Sequence, residues 1–124
     1  MPPNWLGDVV LAQPALRALS QHFKDDNIYV FGRPWLPELL PFLNLEHKSV
    51  EYSPEIPRYA DAAFLFPNSL RSALQAFQSR ARQRVGFRRE GRGILLTHPY
   101  TSRIDLIHEH HRGYYRDLLQ QHGI

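Results

Sequence analysis

The sequence contains no cysteine. That excludes a disulfide scaffold and a thiolate-held metal, and it suits a reducing compartment. Long apolar runs are missing as well, since nothing approaches the ~20 residues needed to cross a bilayer. The opening Met1-Pro2-Pro3-Asn4-Trp5 lacks the basic-then-apolar pattern of a secretion signal. A chain free in solution, or at most resting against a membrane surface, is expected. There is no internal repeat, low-complexity tract or linker, so the 124 residues read as one domain with a single core. Glycine-rich nucleotide signatures are absent too. The segment Gly86-Phe87-Arg88-Arg89-Glu90-Gly91-Arg92-Gly93 has neither G-x-G-x-x-G nor G-x-x-x-x-G-K-[ST] spacing. In His108-Glu109-His110-His111, the zinc-protease pattern H-E-x-x-H fails because Arg112 stands where its second histidine belongs. No metal site is expected.

What is present has an ordinary globular balance, with 43% hydrophobic and 22% charged residues. The formal charge of +3 is unevenly spread. Arg71, Arg80, Arg82, Arg84, Arg88, Arg89 and Arg92 crowd one stretch, while Asp25, Asp26, Glu38, Glu46, Glu51 and Glu55 lie elsewhere. A local basic patch implies a local anionic partner, or else a solvated helix face beside a basic loop.

Hydrophobic spacing supplies the elements. Val9, Ala12, Leu16, Leu19 and Phe23 recur at helical steps, with Pro14 either in the first turn or kinking a longer helix. Ile28–Phe31 and Ala62–Phe66 are continuous apolar runs of the kind found in buried parallel strands. Ser49–Ser53 is a weaker strand and Arg84–Phe87 another short one. Trp35–Leu43 reads as a short helix or irregular turn. Asn68 or Ser69 can cap a helix whose apolar positions are Leu70, Ala73, Leu74, Phe77 and Ala81. Gly91-Arg92-Gly93 forms a loop, and Tyr114, Tyr115, Leu118 and Leu119 mark a last helix. Strands alternating with helices predict an α/β domain with a mostly parallel sheet.

In such sheets ligands gather beyond the carboxyl ends of the strands. Two segments hold that position by sequence, Asn4 to Asp8 and Pro67 to Ser72. Gly7 permits close approach of the backbone to a ligand, and Asp8 opens a helix, where it serves as a cap or as a carboxylate base. Asn68, Ser69, Arg71 and Ser72 offer amide, hydroxyl and guanidinium groups suited to sugar hydroxyls and phosphates, or form a plain helix cap with a surface arginine. Arg88, Arg89 and Arg92 are further phosphate candidates.

These stretches together resemble the N-terminal half of ADP-heptose:lipopolysaccharide heptosyltransferases, glycosyltransferase family 9, and especially their heptosyltransferase II branch. The resemblance rests on Pro3-Asn4-Trp5-Leu6-Gly7-Asp8, on Pro14 to Leu19, on Arg33-Pro34-Trp35 and on Leu65 to Leu74. It continues through Arg84 to Phe87, Gly91 to His98 and the tail from His111 to Ile124. It implies a Rossmann-like lobe with flanking helices, the acceptor-binding N-terminal lobe of a two-lobed GT-B enzyme, spanning residues 1–124. It further implies that the first strand and the C-terminal nucleotide-sugar lobe are absent, that a helix is missing between Tyr52 and Ala62, and that the chain alone is an inactive fragment.

The expected partner is the lipopolysaccharide inner core, with ADP-heptose as donor substrate bound mainly by the absent lobe. No cofactor, metal or nucleic acid is expected. Placement is cytoplasmic, as far as the inner face of the inner membrane. Asp8 is the implied base, taking a proton from an acceptor hydroxyl whose oxygen then displaces ADP at the anomeric carbon with inversion. Asn4, Gly7, Asn68, Ser69, Arg71, Ser72, Arg88 and Arg92 are the implied acceptor-binding residues. The competing readings are a non-catalytic binding module for anionic core saccharide and a small nucleic-acid-binding protein.

Overall fold

The architecture comes from a computed structural model. It describes residues 1–2, 12–43, 45, 50–67, 69–88, 91–101 and 111–124. The first described helix, α1 (Gln13–His22), carries Pro14 in its opening turn. A residue without an N–H is tolerated there because first-turn donors have no partner within the helix. Strand β1 (Ile28–Phe31) follows, then α2 (Leu36–Leu39), which passes directly into a 3₁₀ turn at Leu40–Leu43. Next come β2 (Val50–Ser53), β3 (Ala62–Leu65) and α3 (Leu70–Gln78). The chain closes with β4 (Gln83–Phe87), a 3₁₀ turn at Arg92–Leu95, β5 (His98–Tyr100) and α4 (His111–His122).

Every strand pair is parallel, as expected of strands joined through helices. Among the described residues, however, they form two sheets, one ordered β1-β2 and the other β3-β4-β5. Ile28 sits opposite Val50 in the first, while Ala62 faces Gln83 and Val85 faces His98 in the second.

The three-stranded sheet is covered on both faces, which explains why β3 reads as an unbroken apolar run. On one face Val85 and Phe87 meet Ala12 and Ala15 beside α1 and Tyr115, Leu118 and Leu119 from α4. On the other, Leu65 meets Ala73 and Ala76 of α3, with Leu96. Val85, Leu118 and Leu119 are fully buried, and each such side chain contributes roughly 1.5–3 kcal/mol. The two-stranded sheet has a smaller core of Val30, Leu36 and Leu43.

α3 departs from its apolar pattern. Leu70, Leu74 and Phe77 remain 42–49% exposed, and the helix is buried instead through Ser72, Ala73 and Ala76. Small side chains bring its axis close to the sheet, so the large ones flank the contact. The guanidinium of Arg84 covers Phe77, with its central carbon 5.3 Å from the ring centre.

One further pairing involves the first residue. The Met1 amine donates to the Phe64 carbonyl at 2.7 Å, and the Phe66 N–H donates to the Met1 carbonyl at 3.1 Å. Bonding to the residues before and after Leu65 is the parallel-ladder pattern. Met1 therefore continues the sheet beside β3.

Candidate functional site

β3 and β4 end side by side, and the loops after them are joined by one side chain. Arg92 is fully buried. Its Nε donates to the Phe87 carbonyl at 2.8 Å, at the carboxyl end of β4. Its Nη1 reaches across to the loop after β3, bonding the Pro67 carbonyl at 2.7 Å, the Ser69 carbonyl at 3.1 Å and Ser72 Oγ at 2.9 Å. A guanidinium suits this position because its planar fork carries several donors and accepts no hydrogen bond. The strand leaves room for it. A Cβ built on Gly86 would lie 2.8 Å from Arg92 Nη2. A glycine within a strand commonly marks such a close approach.

The loop itself is tightly self-bonded. Ser69 is the N-cap of α3, in extended conformation, and its Oγ accepts from the Ser72 N–H at 3.2 Å. Ser72 Oγ donates back to the Ser69 carbonyl at 2.8 Å. The choice between Asn68 and Ser69 as cap falls to Ser69, while Asn68 lies outside the described residues.

The arginine cluster divides into two kinds. Arg84 donates to the carbonyls of Leu95 and Ala81, at 2.7 and 2.8 Å, and Arg92 is held as described, so both act within the fold. Arg71, Arg80, Arg82 and Arg88 are exposed. Arg71 stands in the first turn of α3, and Arg88 directly follows β4, its own N–H donating to the Tyr100 carbonyl at 2.8 Å. The same end of the sheet thus carries two exposed arginines, Arg71 at the start of α3 and Arg88 just after β4, beside the segments that Arg92 ties together.

Of the residues singled out from sequence, Ser69, Arg71, Ser72, Arg88 and Arg92 are gathered at the carboxyl ends of β3 and β4. Asn4, Gly7, Asp8, Asn68 and Arg89 lie outside the described residues, as does the segment from His108 to His110. The reading of Arg92 as an open loop side chain facing a phosphate changes here. It is enclosed, and its Nε and Nη1 donors are taken up by the chain itself. Ser72 is likewise buried. Sequence reasoning overlooked this clamp, although a glycine inside a strand, Gly86, was a signal for it. No helix among the described residues is long and apolar enough to cross a membrane.

Parallel strands flanked by helices, with a polar loop and helix start beyond their carboxyl ends, fit the Rossmann-like lobe of a GT-B glycosyltransferase. Curated relatives point to one kind of enzyme. The chain is 26% identical over 118 residues to Lipooligosaccharide heptosyltransferase 2 of Haemophilus ducreyi, covering 83% of this chain and 34% of that protein. It is 32% identical over 111 residues to Lipopolysaccharide heptosyltransferase 2 of Escherichia coli (strain K12), covering 76% of this chain and 32% of that one. A stretch of 30 residues is 50% identical to Lipooligosaccharide heptosyltransferase 2 of Campylobacter jejuni subsp. jejuni serotype O:6, covering 24% of this chain and 10% of that protein. The resemblance read from the motifs is therefore borne out. The chain spans about a third of the length of the longer-matching relatives. No family model matches the chain. No solved structure matches it.

Proposed function

We propose that this chain provides the acceptor-binding lobe for transfer of heptose from ADP-heptose to the lipopolysaccharide inner core. The observation that carries this is the match to heptosyltransferase 2 proteins over about three quarters or more of the chain. The site geometry supports it. Arg71 and Arg88 are exposed near the carboxyl ends of β3 and β4, where a guanidinium can meet an acceptor phosphate or acidic sugar. Arg92, Ser69 and Ser72 hold the loop that leads into α3 and Arg71, so their part is positioning.

Asp8 is assigned as general base. It removes the proton from an acceptor hydroxyl, the oxygen attacks the anomeric carbon, and ADP leaves from the opposite face. Donor binding falls to a second lobe. Without that lobe the reactants are not held together and turnover is lost, while affinity for the acceptor remains.

The test joins this chain to a C-terminal nucleotide-sugar lobe and follows heptose transfer to a phosphorylated core oligosaccharide. Asp8→Asn should lower the rate at least ~100-fold with little change in acceptor affinity, as loss of a general base does. Arg71→Ala should weaken acceptor binding by about tenfold, the loss of one charge-assisted contact. An unchanged rate in the Asp8→Asn protein overturns the base assignment. Steep, salt-dependent binding to generic DNA with no response to core oligosaccharide overturns the sugar reading.

A further inference from the structure

One surface of the fold is apolar where the core does not require it. Leu70, Leu74 and Phe77 recur at four- and three-residue steps along α3, so they form a stripe on one flank of the helix. The 3₁₀ turn at Arg92–Leu95 runs beside α3. Its Arg92 end bonds Ser69 and Ser72 at the start of the helix. Its Leu95 end is reached by Arg84, whose guanidinium also lies over Phe77. Ile94 projects from this turn with 90% of its surface exposed, outside the cluster that Leu65, Ala73, Ala76 and Leu96 form beneath. Large apolar side chains exposed together make a patch, which marks a contact surface in a way that scattered ones do not.

The charges that border the patch have one sign. Arg71 stands in the first turn of α3, and Arg88 lies over Gly93, where an added Cβ would meet its Cγ at 3.5 Å. Both are at the carboxyl ends of β3 and β4. At the opposite end, Arg80 and Arg82 are exposed between α3 and β4. No described residue from Ala62 to Thr101 is acidic, and Arg89 and Glu90 lie outside the described residues. An apolar centre with arginines at both ends suits a bilayer interface. The apolar side chains enter the acyl boundary, while long arginine stems carry their charge up to anionic headgroups. The shape agrees, because a helix flank and a turn tipped by Ile94 stand out from the surface and can sink into a soft interface.

We propose that this face docks on an anionic lipid bilayer. Ile94, Leu70, Leu74 and Phe77 enter below the headgroups. Arg80 and Arg82 at one end, with Arg71 and Arg88 at the other, meet lipid phosphates. α3 then lies along the bilayer, and the carboxyl ends of β3 and β4 come to headgroup level. α1 and α4, on the opposite face of the sheet, remain in water.

The test adds the intact chain to vesicles of phosphatidylcholine with about one third phosphatidylglycerol and follows co-sedimentation. These vesicles carry no saccharide, so the result is independent of the acceptor assignment. The sequence has no cysteine, so one introduced thiol takes one polarity-sensitive dye. At Ile94→Cys the dye emission should shift to the blue with vesicles, and at Gln120→Cys on α4 it should not. Ile94→Ser should bind about tenfold more weakly, as expected for one apolar side chain kept out of the acyl boundary. Arg80→Gln combined with Arg82→Gln should weaken binding to the anionic vesicles about 30-fold and leave residual binding to pure phosphatidylcholine unchanged. Absence of vesicle binding by the intact chain overturns the proposal. Undiminished binding by the Ile94→Ser chain would reduce the contact to charge adsorption and overturn it as well. A blue shift that grows with protein concentration in the absence of lipid would assign the face to a second copy. One produced by soluble polyglutamate and not by vesicles would assign it to an acidic polypeptide. Either overturns the bilayer as occupant.

Discussion

At the scale of single residues, Arg92 and Gly86 form one device. The buried guanidinium satisfies the carbonyls of Phe87, Pro67 and Ser69, and the missing Cβ of Gly86 makes room for it. Arg92→Lys keeps the charge but loses the Nε donor and the fork. With buried carbonyls left unsatisfied, it should lower stability by about 2–4 kcal/mol in urea denaturation. Gly86→Ala should cost about 1–3 kcal/mol, because its Cβ would stand 2.8 Å from Arg92 Nη2, whose guanidinium is held in place by its other hydrogen bonds. The two changes share a partner, so their effects should not add. The alanine penalty should shrink once Arg92 is lysine, and strictly additive values would show that Gly86 does not serve the guanidinium. This pairing was only half legible in the sequence. A glycine in a strand announces a close approach but not what approaches, and Arg92 looked like one cation among seven.

Elements were easiest to read where one local pattern decides them. The runs at Ile28–Phe31 and Ala62–Leu65 are parallel strands, although only Val30 and Leu65 in them are buried, and the Ser69 cap starts α3 where its hydroxyl can reach the Ser72 N–H. β5 was not legible. It has three residues with Pro99 in the middle, and proline is tolerated because, among the described strands, β5 bonds only to β4. The exposed stripe on α3 also escaped, since periodicity gives a helix its apolar face but not how closely small residues let it approach.

β3 carries an element-scale consequence through Met1. Burial of the Met1 amine against β3 pushes its pKa down from 8.0 to about 5. The unfolded chain therefore binds a proton that the folded chain refuses, and stability should fall as pH drops from 8 toward 5, by at most on the order of 4 kcal/mol. Acetylating the amine keeps an N–H for the Phe64 carbonyl and removes the charge. The acetylated chain should be more stable at pH 6.5 and nearly flat between pH 8 and 6.5. Below that, His122 contributes a loss of the same sign, its pKa lowered by burial and by the neighbouring His98 and His22. Parallel pH profiles for both forms, measured by urea denaturation, would place the amine in water rather than in the ladder.

For the whole molecule, the division into two sheets predicts division in stability. β4 lies in the interior of its sheet, with Val85 fully buried and Leu118 and Leu119 packed above it. β1 and β2 rest on Val30, Leu36 and Leu43 and are hydrogen-bonded only to each other among the described strands. Regions with fewer buried apolar contacts open first. Native-state hydrogen exchange should therefore show Val30 exchanging through an opening of lower free energy, and weaker denaturant dependence, than the one that exposes Val85. Equal values at both sites would mean that the sheets unfold as one unit.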